Sequence, residues 1–159
     1  MHNTMVLFTI LDSILAGIIG TLAMTVLIRL IGRVASYRLS VPRILGTLLT
    51  FKASPAGYLS PRPSVFILGT VAHYLTGIFF TLLYAWLVCI EVLPQGYVNG
   101  LLYGSTLGIL AVIVWYITLR LHPLSPAIPL RLFLVAIFAG HLVFAAGIVT
   151  AFKFLLTIF

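Results

Sequence analysis

The chain has 159 residues, of which 62% are apolar and only 7% charged. A soluble domain carries about 25% charged residues, so too little polar surface exists to face water, and the chain reads as an integral membrane protein. The net charge of +7, from nine Lys/Arg against Asp12 and Glu91, would suggest nucleic acid in a soluble protein; in so apolar a chain it signals membrane topology, and no nucleic-acid partner is expected.

The spans follow from the spacing of charges, because a helix rising about 1.5 Å per residue needs around 20 residues to cross the hydrocarbon core. The first is expected over residues 6–35. The opening "MHNTMVLFTI" lacks a basic start and its apolar run continues beyond the usual length, so no cleavable signal peptide is expected. Within this span Gly17, Thr21 and Thr25 form a small-residue row with Ala16 and Gly20 beside it. Arg29 and Arg33, four apart at its end, make a basic stripe suited to topology signalling, and with Arg43 they are candidates for contact with lipid headgroups or a partner.

The connection 36–62 contains "SVPRILGTLLTFK", in which Ser40 can cap and Pro42 can begin a short helix. Val41, Ile44, Leu45, Leu48 and Phe51 fall on one face, with Arg43, Gly46, Thr47 and Thr50 opposite. That is the pattern of an interfacial helix, and a small cap packed on the end of the bundle is the alternative.

A second span is expected over 63–92, since 28 uncharged residues separate Arg62 from Glu91, with Pro63 in its first turn. Gly69, His73 and Gly77 are spaced by four and stack on one side, and Thr81 continues the line. "LPQG" at 93–96 is a tight turn. The third span, 96–119, carries a double Gly-x-x-x-Gly at Gly100, Gly104 and Gly108. Faces of this kind let helix backbones approach closely. The loop 120–128 is proline-rich and reads as stiff and non-helical, and its His122 has no evident metal partner. The fourth span, 129–156, carries His141, flanked by Gly140 and Ala145 but also by Ile137 and Phe144. Trp86, Tyr84 and Tyr97 near one boundary and Trp115 and Tyr116 near the other read as an aromatic belt. The expected fold is therefore all-α: one polytopic four-helix transmembrane domain over 1–159, with a short interfacial helix in its first loop.

Eight of the nine basic residues, all but Lys153, lie on the side of loops 36–62 and 120–128. The positive-inside rule places those loops in the cytoplasm and both termini outward.

His73 lies 11 residues past Arg62, and His141 lies 10 past Arg131. Both imidazoles therefore sit about 15 Å from the same boundary, near the middle of the core, where a polar side chain faces the bundle interior and needs a partner. Three readings compete. In the first, each neutral ring bonds the other, or Tyr74, Thr76, Ser105 or a buried water. In the second, the pair ligates a b-type haem. In the third, they relay protons or ions, although both carboxylates lie far from that depth. Cys89, the sole cysteine, excludes an intramolecular disulfide and a thiolate cluster. With no Ser/His/Asp arrangement and no metal set, catalysis is not expected.

Two halves of the chain echo one another. Each is a glycine-bearing helix, a basic or proline-rich loop, then a helix with a histidine, and "AHYLTGI" and "GHLVFAAGI" are the closest local matches. Repetition in parallel predicts a pseudo-two-fold axis along the membrane normal, with His73 and His141 in equivalent positions. The stretches "HYLTGIFFTLLYAWLVCIEVLP", "GLLYGSTLG" and "GHLVF" resemble the YagU-like group of small bacterial inner-membrane proteins of unassigned activity, over about the last hundred residues. That resemblance implies a bacterial cytoplasmic membrane and a four-helix bundle, and supplies no reaction. The leading functional expectation is a non-catalytic accessory or scaffolding subunit without a cofactor, held among membrane lipids and other membrane subunits. The main alternative is a haem b or quinone-linked electron carrier using His73 and His141. A small transporter or lipid-interacting protein is the third.

Overall fold

The computed structural model describes residues 10–54 and 56–158; the first residues of the first expected span lie outside it. Five helices follow in order: α1 (Ile10–Val34), α2 (Val41–Leu49), α3 (Pro63–Cys89), α4 (Tyr97–Leu121) and α5 (Leu130–Ile158), and no strand occurs among the described residues. All but α2 are long and apolar enough to cross a membrane. The molecule is a membrane helical bundle.

Helix ends differ slightly from expectation, for local reasons. α3 stops at Cys89 because the N–H groups of Val92 and Leu93 both return to the carbonyl of Leu87, with Glu91 left-handed at φ 59. α4 runs on to Leu121, where Pro123 disfavours helical backbone at the preceding residue, and His122 is extended. Ser40 does occupy the N-cap position of α2, but its side chain makes no capping bond.

α5 is the central helix. It packs against α1 and α4, α1 packs in turn against α3, and α3 carries α2. The spatial order is thus α3, α1, α5, α4. Over their most apolar windows 44% of α5 is buried but only 22% of α3, as a central and a flanking helix should differ. The outward faces are apolar throughout, for instance Ile67, Val71, Leu75 and Phe79 along α3, which suits acyl chains as solvent.

Glycines fix these contacts. A Cβ on Gly17 would lie 2.9 Å from the Cα of Ile78, and one on Gly77 would collide with Thr21 Oγ1, so α1 and α3 meet backbone to side chain. Gly20 and Gly147 face each other across α1 and α5 at a Cβ-to-Cα approach of 3.1 Å. Gly100, Gly104 and Gly108 all face α5, meeting Val149, Ala145 with the carbonyl of His141, and Phe138 in turn. The small-residue faces seen in the sequence are thus occupied within this chain.

The expected pseudo-two-fold does not hold. It would equate the α1–α5 interface with one between α4 and α3, yet α1–α5 is the most extensive in the molecule whereas α3 and α4 hardly touch. The reason is directional: α3 turns its glycines to α1 and α2, and α4 turns its own to α5. Neither leaves a small face for the other.

α2 also departs from the expected two-faced pattern. After α1 the chain doubles back, so that a Cβ on Gly32 would lie 2.8 Å from the carbonyl of Tyr37. α2 then runs antiparallel to α3, with Gly46 and Gly69 in such close apposition that neither tolerates a Cβ. Gly46 and Thr47, on the face opposite the apolar one, are buried, and so are Ile44 and Leu48 on the apolar face, as in a small cap packed on the bundle. The half-buried Arg43 is partly committed within the fold: its guanidinium donates to the Ser60 carbonyl at 2.9 Å and covers the Phe66 ring. Arg29 and Arg33 remain exposed.

Candidate functional site: a histidine-lined cleft

Because α3 and α4 do not close on each other, a cavity of about 360 Å³ remains between them, within the size range of small-ligand sites. Thr21 and Met24 of α1 and His141 and Phe144 of α5 line it together with His73, Thr76, Gly77 and Phe80 of α3. Leu107, Leu110, Ala111, Val114 and Trp115 supply the α4 wall, and Val41 and Leu45 bring in α2. Thr76, Leu110 and Val114 are exposed at its rim, so it opens sideways toward the apolar exterior. Toward the short α3–α4 turn, the Tyr103 hydroxyl donates to the Phe80 carbonyl at 2.6 Å and its ring lies 5.3 Å from Tyr84. α3 and α4 are therefore pinned together at one end and separate below.

Both histidines line this cavity, and no hydrogen bond joins them. His73 Nε2 is 3.1 Å from Thr25 Oγ1, whose own proton goes to the Thr21 carbonyl at 2.7 Å. That carbonyl can only accept, so at His73 the hydroxyl accepts and Nε2 is the donor. His141 Nδ1 lies 2.8 Å from the Ile137 carbonyl and must likewise donate. Each neutral ring thus keeps one nitrogen lone pair, Nδ1 on His73 and Nε2 on His141. Among the described residues neither nitrogen has a hydrogen-bond partner, and neither is completely buried. His141 fits beside α4 only because Gly104 and Gly108 leave room, the latter at 3.4 Å between a built Cβ and that of His141.

The partners expected from sequence are not used. Thr76 and Ser105 spend their hydroxyl protons on their own helices, bonding Ala72 and Leu101 carbonyls, and Tyr74 only meets His73 ring edge to face. Thr25 was read as a packing residue. Its place four residues after Thr21, in the row opposite Gly77 and His73, was the available signal. Trp115 was assigned to the aromatic belt, yet it lines the cavity and stands edge-on to Phe133 at 5.1 Å. Tyr97 and Trp86 do lie on the outside, Tyr97 beneath the Lys153 ammonium at 4.0 Å. His122 braces α2, its ring tilted against Phe51 and its Nε2 donating to the Leu48 carbonyl. No group of three or more His, Cys, Asp or Glu side chains able to hold a metal occurs among the described residues.

Comparison with family profiles, with curated proteins and with solved structures finds no match.

Proposed function

We propose that this is a non-catalytic bacterial inner-membrane protein that binds a lipid-soluble small molecule in the cleft between α3 and α4. The observation that carries this reading is the shape of the site: an apolar cavity of about 360 Å³, open to the side, with two imidazoles in its wall. A guest enters such a site from the bilayer without crossing water. The basic ends of α1 and α4 and the loop around α2 face the cytoplasm on this reading, with α2 near the interface, in accord with the positive-inside rule. Native mass spectrometry of protein released from nanodiscs tests it. An apolar adduct that is lost in Ala111→Trp, which fills the cavity, supports the reading; adducts equal in number and mass in both forms overturn it.

An accessory-subunit role is the second reading. It rests on α3, whose Ile67, Val71, Leu75 and Phe79 form a continuous uncovered stripe. A monodisperse monomer that captures no partner in mild detergent removes its support. The haem alternative asks more of the site. His141, with Nδ1 tied to a backbone carbonyl, is arranged as an axial ligand would be, but His73 must release Thr25 to turn Nε2 inward. A Soret band lost in His73→Ala and His141→Ala supports haem, and a colourless preparation dismisses it.

A further inference from the structure

We infer that the guest of this cleft is an uncharged amphiphile that binds by donating hydrogen bonds from hydroxyl groups, as a hydroquinone or a diol does, to His73 Nδ1 and His141 Nε2. The inference rests on the cleft-binding reading above and adds the chemical class of the ligand. Its basis is the fixed direction of each ring. The Thr21 carbonyl takes the Thr25 proton, so Thr25 makes His73 Nε2 the donor, and the Ile137 carbonyl does the same for His141 Nδ1. Both rings line the cavity with their donor nitrogens already committed, so what each still has to offer a guest is an acceptor. An acceptor left bare in apolar surroundings is costly, and a guest that offers only carbonyl or ether oxygens leaves both bare.

The other polar groups of the wall do not alter this. Thr76 has its proton committed to Ala72, and the Thr21 hydroxyl, which has no hydrogen-bond partner among the described residues, is fully buried against Gly77 and out of a guest's reach. The Trp115 N–H lies on α4 seven residues beyond Gly108, which faces His141, or about 10 Å along the helix. At the histidine layer, then, donors must come from the guest. A cationic guest does not fit, because neither Asp12 nor Glu91 lines the cavity and an unpaired charge there is strongly disfavoured.

The test uses Trp115 as reporter in full-length Trp86→Phe protein in nanodiscs, under reducing conditions. Two probes share a decyl tail brominated to quench tryptophan on contact: a hydroquinone and its di-O-methyl ether. Quenching of Trp86 in Trp115→Phe protein gives the background from probe dissolved in the bilayer. The expected result is saturable quenching with the hydroquinone binding about tenfold tighter than the ether, the size of two modest hydrogen bonds. Thr25→Val, which unties His73 without touching the cavity's apolar wall, should shrink that preference to a few-fold and leave ether binding unchanged. Equal binding of the two probes overturns the ligand class and leaves the cleft reading intact. Quenching no greater than background with either probe overturns the cleft reading itself.

Discussion

The seam between α1 and α5 is closed and the seam between α3 and α4 is open, although both join long apolar helices. At the closed seam Gly20 meets Gly147, Phe144 and Ile148 fill the space around them, and Gly140 receives Met24 and Ile28. At the open seam Phe80, Thr76, Leu107 and Leu110 line the gap, and the one α3 glycine beside them, Gly77, is turned to Thr21 of α1 and not to α4. Lipid tails are as apolar as leucine, so burial alone gives helices no reason to pair; close backbone approach does. The α3–α4 turn brings two helix ends together and can do no more. The direction in which each glycine points decides which seams close.

The strongest way to break this contrast is to add one carbon where backbone meets backbone. Gly69→Ala and Gly46→Ala place a Cβ against Pro42 or Val65 carbonyl oxygens that cannot swing away. Each should cost about 3 kcal/mol, the upper range for overpacking, read as loss of fold in an SDS titration, and α2 should detach first. Gly20→Ala, whose Cβ would lie 2.9 Å from the Phe144 carbonyl, should cost about 2 kcal/mol at the closed seam. Ala111→Leu adds three carbons at the open seam and should change stability by less than about 0.5 kcal/mol. If Ala111→Leu proves as damaging as Gly20→Ala, the two seams do not differ in the way described.

Finer measurements sharpen the same comparison. Tyr103→Phe removes the bond to the Phe80 carbonyl that pins α3 to α4. About 1 kcal/mol of stability should go with it. Spin labels on the exposed positions Leu75 and Ile113 should report a broader distance distribution. A distribution as narrow as in the parent protein would mean that the turn alone sets the spacing. A smaller loss than that of Tyr103→Phe is expected of Thr25→Val, about 0.6 kcal/mol, typical of a hydrogen bond between membrane helices. Histidine tautomer signals in solid-state NMR should then show His73 losing its Nε2–H preference, while His141 is unaffected.

Much of this could be read without coordinates. Pro63, the LPQG turn and the charges at Arg62, Glu91, Arg120 and Arg131 delimit three spans to within a few residues. That His73 and His141 share one space was expected from their equal distance along parallel helices, and both do line the cavity. The residue that orients His73 was not named, because Thr25 belongs to another helix and its row has two equally good uses, packing and hydrogen bonding. The neighbour of Gly46 was not legible for a related reason. Periodicity assigns a residue to a face but not to a neighbour, and only the fold sets the glycine side of α2 against Gly69.

Sequence by itself determined that this chain is a membrane bundle of long apolar helices and, for the last three of them, where they begin and end to within a few residues. These are properties of composition and of rise per residue, which need no partner to act. Only the tertiary structure decided which helices touch, that the echo between the two halves does not become a symmetry, and that a cleft stays open beside two unshared nitrogen lone pairs. Those outcomes depend on which way a handful of glycines and one threonine proton point, and rotation about a helix axis is fixed by neighbours alone.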